Sequence, residues 1–437
     1  MSINETFDTV FAPSSAVGGA IAVIRVSGQQ TRKIAQAILD RDVCKDPGRL
    51  VHTRILRGGD VADDGMAVFF RAPHSYTGED MLELHCHGGY ATVRTVLALL
   101  SEAGGAPAPA GEFTKRAFLN GKMDLSQAEA VMDVINAQAA SSLRSALDQL
   151  GGGVSRRVRS AESRLLDARS ALEAAIDYPD EAGADAEAAL PVLLADAAEE
   201  LDALIEEGRR GRVLRDGLKL VILGRPNVGK SSLLNTLLGE DRAIVTAAAG
   251  TTRDVLDERV TIENVPVRLI DTAGVREAQD EAERIGVDRA KRSLETADAV
   301  LLVLDGSVPE TEEDRALLRE TEGQRRIVLA NKCDLGVRAQ ADLAISCKTG
   351  AGIAELKRRI AALANMTGQP LACITNERHV RALETAATAL SHARTQTEPD
   401  CIATDLADAL HALGTITGTD VDAEVIDRIF ANFCVGK

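Results

Sequence analysis

Gly224, Gly229, Lys230 and Ser231 stand in the spacing G-x-x-x-x-G-K-S, a pattern suited to holding an anion. Glycines let successive backbone N–H groups converge on a phosphate, and the N-terminus of a following helix adds the positive end of its dipole. Asn227, Val228 and Ser232 belong to the same turn. Lys230 would reach β and γ phosphates, and Ser231 would hold Mg²⁺. An ordinary glycine turn can show this spacing by accident. Here an apolar run at 218–223 precedes it and a stretch of helical period at 232–238 follows it, which is the strand–loop–helix context the chemistry requires.

Three later loops extend the site. The strand-like run 265–270 leads into Asp271-Thr272-Ala273-Gly274, the run 327–330 into Asn331-Lys332-Cys333-Asp334, and Ile345 into Ser346-Cys347-Lys348. With the buried run 299–305 they alternate with helical segments, as in a parallel sheet that binds ligands where its strands end. Asp271 would support Mg²⁺ directly or through water, and the N–H of Gly274 would approach a γ-phosphate. The carboxylate of Asp334 can accept from both N–H groups on the guanine edge, a donor pair adenine lacks, so the base is expected to be guanine and the nucleotide GTP. Val275 stands where Ras-like proteins carry a water-positioning Gln. The small-residue loop Thr246-Ala247-Ala248-Ala249-Gly250-Thr251 precedes Thr252, the expected second Mg²⁺ ligand. Its carbonyls, with Asn227, could ligate a monovalent cation that neutralises developing charge; Arg253 is the competing supplier of that charge.

These loops must be carried by a larger scaffold. At 437 residues the chain is too long for one ordinary core. Aromatics make up 3% with no Trp, which disfavours stacking platforms for single strands, and the net charge of −16 argues against broad nonspecific nucleic-acid binding. Local basic stretches remain at Arg156, Arg157, Arg159 and Arg164 and at Arg209, Arg210, Arg212 and Arg215, a pattern more common on solvated helix faces. Seven scattered Cys without CxxC pairs suit a reducing cytoplasm; no signal peptide is evident at residues 1–6, and no segment approaches a membrane span.

Residues 1–120 read as a mixed α/β unit with strands at 20–26, 66–70 and 81–87. In the last, alternation puts Glu83, His85 and His87 on one face and Leu82, Leu84 and Cys86 on the other. A polar pocket or solvated face is favoured there over a metal site. After the break at 106–110, a long helix is expected from Ser126, with Glu129 completing a capping box and Val131, Ile135, Leu143, Leu147 and Leu150 forming its apolar face. Gly151-Gly152-Gly153 interrupts it. The helical segment 121–213 needs partners for its apolar faces, and the helical tail 374–437 can supply them. The domain at 214–373 is then an insertion between two halves of one helical domain.

The sequence closely resembles the tRNA modification GTPase MnmE (TrmE) family over nearly its whole length. The likeness rests on the nucleotide loops and on Tyr76-Thr77-Gly78-Glu79-Asp80, the strand 82–89, Gly111-Glu112-Phe113, Arg116-Ala117-Phe118-Leu119-Asn120, Asp124-Leu125, Gln127-Ala128-Glu129-Ala130 and Phe433-Cys434-Val435-Gly436-Lys437. Tyr178 stands where the family often has Phe. The resemblance implies a tetrahydrofolate-binding-type α/β domain that dimerises, a discontinuous helical domain and an inserted Ras-like P-loop GTPase domain. It implies folate contacts at Arg25, Glu83, Lys122 and Lys437; without it, Arg25 and Lys122 read as solvated surface charges. It also implies K⁺ ligands at Asn227, Thr246, Ala248 and Thr251, activation by G-domain dimerisation without an arginine finger, and a water-positioning Glu283. From the sequence alone Glu283 reads as a charge favoured by a helix N-terminus.

Cys434 sits at the position of a prenylation box, but Gly436 and Lys437 do not fit one. Residue reasoning favours a buried structural thiol; the resemblance implies a functional thiol near the folate pocket. The expected activity is GTP hydrolysis serving tRNA modification: with an FAD-dependent partner, MnmG (GidA), in a heterotetramer or larger, an aminomethyl-type or carboxymethylaminomethyl group is placed at C5 of the wobble uridine, its carbon taken from 5-formyl- or methylene-tetrahydrofolate. The alternative is a regulatory GTPase switch in ribosome assembly or RNA binding that carries out no modification chemistry.

Overall fold

The computed structural model describes residues 9–177, 184–240, 258–270, 294, 297–364 and 374–437. Contacts divide the chain into one unit of residues 1–132 with 413–437 and another of residues 133–412.

In the first unit, strands β1 (Val10–Pro13), β2 (Ile21–Ser27), β3 (Val51–Arg57), β4 (Asp60–Phe70), β5 (Met81–His87) and β6 (Ala106–Pro107) form a sheet of order β3-β4-β5-β2-β1-β6. The alternation expected for β5 is present: Leu82, Leu84 and Cys86 are buried, whereas Glu83 and His85 are half-buried and His87 is exposed. The buried set joins Ile24, Val26 and Phe69 and the apolar sides of helices α1 (Thr31–Ile38) and α2 (Tyr90–Glu102) in one core. Antiparallel register sets Arg25 of β2 opposite Glu83 of β5, so the two polar side chains share the face away from those helices.

Helix α3 (Glu112–Leu119) starts at Gly111, whose φ is 70°. A Cβ there would meet the Phe430 carbonyl at 2.5 Å, so the close approach of the C-terminal segment itself requires glycine. Phe430 and Phe433, with ring centroids 5.0 Å apart, pack with Leu125 and Ala128, and Val435 bridges to Ala110.

Helix α4 (Leu125–Asn136) starts earlier than expected. Asp124 Oδ1 accepts from Gln127 N–H at 3.0 Å, and Gln127 Oε1 accepts from Asp124 N–H at 3.0 Å. The reciprocal box is therefore Asp124–Gln127, and Ser126 and Glu129 lie buried inside the helix. The expected continuous helix is also broken at 137–139, with α5 (Ala140–Leu150) following. Ile135, Leu143 and Leu147 are exposed, while Ala139, Ser141, Ser145, Ala146 and Gln149 are buried. Small side chains let this helix approach its neighbours closely, so the larger apolar residues are left outside.

In the second unit, α6 (Gly153–Asp177) and α7 (Ala184–Asp216) run antiparallel, as the ion pairs Arg157–Glu207 and Arg164–Glu200 show. Val158, Ala161, Leu165, Ala168 and Leu172 keep the spacing of one buried stripe. Helix Glu377–Ala393 packs on α7. Gly208 permits this: a Cβ there would meet Val380 Cγ2 at 2.6 Å.

The same unit holds a sheet of order β12-β11-β10-β7-β9-β8, made of β7 (Leu218–Leu223), β8 (Glu258–Ile262), β9 (Val265–Ile270), β10 (Ala299–Asp305), β11 (Arg326–Asn331) and β12 (Leu343–Ala344). All its pairings are parallel except β8–β9. Apolar residues are buried on both sheet faces, as a helix-covered parallel sheet demands. The β8–β9 turn uses Glu263 (φ 49°) and Asn264 (φ 63°), and the Asn264 carbonyl accepts from Ser141 Oγ at 2.5 Å.

Candidate nucleotide-binding site

The phosphate-loop motif lies between β7 and helix α8 (Lys230–Glu240), as its spacing predicts. Gly224 has φ 152° and Gly229 φ 101°. A Cβ on Gly224 would strike the Val303 carbonyl, and one on Gly229 the Asn331 amide. These glycines therefore serve close packing against β10 and β11 as well as anion access. Asn227 takes φ 63° without being glycine, an uncommon conformation that Asn tolerates better than most residues. Lys230 opens α8, and its Nζ donates to the Gly224 and Arg225 carbonyls at 2.8 and 2.9 Å. Burial pushes the Lys230 ammonium below its ordinary range. A phosphate brought to the loop would restore a counter-charge. Ser231 and Ser232 follow on α8, both exposed, where Ser231 Oγ suits a hard cation such as Mg²⁺.

The base-side loops meet the phosphate loop directly. Asn331 closes β11, buried; its Nδ2 donates to the Val228 carbonyl at 2.8 Å and its Oδ1 accepts from Cys347 N–H at 3.3 Å. Lys332, at φ 64°, donates from Nζ to the Asn227 carbonyl at 2.9 Å and to Asp305 Oδ2 at 2.7 Å. Asp334 is exposed, and its Oδ1 accepts from Ser346 Oγ at 2.7 Å. That bond fixes the carboxylate from the Ser346-Cys347-Lys348 loop and suits it to a base edge bearing two N–H groups. Burial pushes the Cys347 thiol up, which keeps it protonated as a packing group, while Lys348 is exposed.

The structure thus brings together Asn227, Val228, Gly229, Lys230, Ser231, Asn331, Lys332, Asp334, Ser346 and Cys347. Thr246, Ala247, Ala248, Ala249, Gly250, Thr251, Thr252, Arg253, Asp271, Thr272, Ala273, Gly274, Val275 and Glu283 lie outside the described residues. Two residues outside the sequence motifs join the site: buried Asp314, whose Oδ2 pairs with Arg225 Nε at 3.2 Å, and Asp305, which holds Lys332. The available signal for Asp305 was an acidic residue closing an apolar strand at the ligand edge.

A second constellation lies in the first unit. Arg25 donates from Nε and Nη2 to Glu83 Oε1 at 3.0 and 2.8 Å, and its guanidinium sits 5.1 Å from the Tyr76 ring centroid and 5.7 Å from that of Phe113. Oε1 takes both bonds, while Oε2 lies 4.0 Å from His85 Nε2, a position open to a further N–H donor. Glu83, His85 and His87 do not converge: His87 Nδ1 turns to Asp63 at 2.8 Å, and no metal-type cluster occurs among the described residues. Lys122 Nζ donates to the Pro73 carbonyl at 2.9 Å, and Lys437 N–H to the Cys434 carbonyl at 3.3 Å. Neither is bonded to the Arg25–Glu83 pair. The thiol of Cys434 is exposed, contrary to the buried role that residue reasoning favoured.

Residues 9–122 match the profile of the GTP-binding protein TrmE N-terminus, and residues 125–434 that of the MnmE helical domain. The tRNA modification GTPase MnmE of Lactiplantibacillus plantarum is 41% identical over 463 residues, covering 100% of both chains. That of Enterococcus faecalis is 42% identical over 99% of this chain and 98% of its own, and that of Geobacillus kaustophilus 41% identical over 99% of each. Among solved structures, the G domain of the T. maritima FeoB iron transporter is 28% identical, covers 34% of this chain and 98% of its own, and has a TM-score of 0.25. With nucleotide loops, N-terminal sheet and helical segments all accounted for by full-length relatives, the chain belongs to the tRNA modification GTPase MnmE family.

Proposed function

We propose that this chain hydrolyses GTP and couples that hydrolysis to modification of tRNA at the wobble uridine. The observation that carries the reading is the meeting of Lys230, Asn331, Lys332 and Asp334 at one edge of the parallel sheet, with Lys332 and Asn331 clasping the Asn227 and Val228 carbonyls. Lys230 leaves its two carbonyls to meet the β and γ phosphates, and Asp334 accepts from the guanine edge. Ser231 and Thr252 would hold Mg²⁺, with Asp271 supporting it; Gly274 would contact the γ-phosphate, and Glu283 would orient water. Asn227, Thr246, Ala248 and Thr251 hold K⁺. When bound, that cation would supply positive charge to offset the charge developing on the phosphates.

In the N-terminal unit, Arg25, Glu83, Lys122 and Lys437 bind a tetrahydrofolate. Glu83 Oε2 fits the role because the guanidinium engages only its other oxygen, leaving an acceptor for a pterin N–H. Bound folate supplies the one-carbon unit, and Cys434 is the candidate thiol of the modification chemistry, being exposed. The protein works in the cytoplasm as a homodimer with an FAD-dependent partner, MnmG. No described helix is long and apolar enough to cross a membrane. GTP turnover drives approach and separation of the G domains, transmitted through the helical domain.

Nucleoside analysis of tRNA from a strain lacking this chain tests the reading. The wobble uridine modification disappears, returns with the parent and does not return with Lys230→Ala; unchanged uridines in the deleted strain would favour a regulatory switch. GTP hydrolysis by the purified protein is expected to be much faster in KCl than in NaCl. Equal rates would remove the cation and leave Arg253 as the source of charge.

A further inference from the structure

Asp305 lies outside every motif of the nucleotide site, yet it is built into its floor. It ends β10 opposite Asn331 in the parallel register, so the two side chains emerge at the same sheet edge. The backbones there are locked: Gly306 N–H donates to the Asn331 carbonyl at 2.7 Å, and Arg338 N–H to the Gly306 carbonyl at 2.7 Å. A Cβ on Gly306 would meet the Asn331 carbonyl at 2.7 Å, so the strand ends cannot be spaced further by a side chain. Asp305 Oδ1 accepts from Ser307 N–H at 3.1 Å and Ser307 Oγ at 2.6 Å, which fixes the carboxylate plane. Its Oδ2 then accepts from Lys332 Nζ at 2.7 Å, and the same ammonium donates to the Asn227 carbonyl at 2.9 Å.

We propose that Asp305 is a positioning residue of the GTPase site, which acts through Lys332 to hold the backbone of Asn227 and with it the lip of the phosphate loop. A lysine stem is long and flexible, and a single carbonyl is a weak anchor for it. The fixed carboxylate supplies the counter-charge that aims the ammonium at Asn227. The hold falls on a backbone at φ 63°, which is uncommon for a non-glycine residue even though Asn tolerates it better than most. Nucleotide binding is thereby linked to the end of β10, a strand that supplies none of the recognised motifs. The cation arm of the test rests on the reading of Asn227 as a K⁺ ligand; the affinity arm does not.

The test uses the full-length chain and a fluorescent GDP analogue, with Asp305→Asn, Lys332→Met and the double variant. Asp305→Asn weakens GDP about tenfold, the loss expected of one charge-assisted hydrogen bond, and leaves the thermal midpoint of the nucleotide-free protein unchanged. The double variant is no weaker than Lys332→Met, because Asp305 acts through that lysine. Preference for GDP over IDP stays as in the parent, since the base contact at Asp334 is untouched. Asp305→Glu, which keeps the charge, recovers part of the affinity. Additive losses, parental affinity in Asp305→Asn, a changed GDP/IDP ratio or unfolding of Asp305→Asn without nucleotide would each overturn the assignment. In hydrolysis assays Asp305→Asn raises the K⁺ concentration for half-activation. A parent indifferent to K⁺ would sink the cation reading and leave the affinity arm to decide on Asp305.

Discussion

The ammonium of Lys230 is held by two carbonyls of its own loop, Gly224 and Arg225, in a half-buried setting that lowers its proton affinity. A lysine whose folded pKa lies below 10.5 favours the neutral form in the fold, so the nucleotide-free protein gains stability as pH rises through that lowered value and has gained it all above 10.5. Phosphate binding requires the charged form. GDP affinity is therefore expected to fall on the alkaline side, starting below pH 10.5, and Lys230→Met should bind weakly with that pH dependence gone. A parental pH profile in Lys230→Met would place the titrating group elsewhere.

Arg116 makes a different residue-level prediction. It is 2% exposed and bonds Glu112 Oε1 at 2.8 Å, Glu79 Oε2 at 3.1 Å and the Ser27 carbonyl at 3.3 Å. Arg116→Met removes the guanidinium from two part-buried carboxylates and should cost about 3–5 kcal/mol in denaturant unfolding; a loss under about 1 kcal/mol would mean that water replaces the guanidinium. Glu79, Glu112 and Arg116 were legible as parts of family motifs, but not as one network. Asp305 was legible only as a strand end, because one-dimensional spacing does not show which side chain faces it across the sheet edge.

Among the elements, the strands and the phosphate loop could be read because period and glycine spacing are local properties. The cap of α4 lies two residues before the one expected from sequence, because both Asp124–Gln127 and Ser126–Glu129 satisfy the same four-residue pattern. Burial decides between them, since Ser126 and Glu129 are needed inside. Asp124→Ala should cost about 1 kcal/mol through the lost cap, read as a lower urea midpoint at unchanged slope. An unshifted midpoint would mean the helix starts elsewhere. The break between α4 and α5 is not visible in the apolar pattern because Leu143 and Leu147 keep helical spacing but face outward, while the Ala and Ser side chains supply the packed face. Periodicity identifies a stripe without saying which stripe is covered.

At the scale of the molecule, a guanine-nucleotide site on one sheet and a polar Arg25–Glu83 pair on another belong to a single chain of the MnmE family. On the proposed function, guanine nucleotide turned over at Lys230 and Asp334 drives tRNA modification. Exchanging Asp334 for Asn converts its double acceptor into an acceptor–donor pair, which matches the N–H and C=O edge of xanthine rather than the two donors of guanine. The measurement is wobble-uridine modification in a reconstituted reaction with the FAD-dependent partner and a folate one-carbon donor. Either GTP or XTP is supplied to the parent or to Asp334→Asn. The parent should modify tRNA with GTP and the variant with XTP; modification by the parent without any nucleotide, or by the variant with GTP as well as the parent, would contradict that coupling.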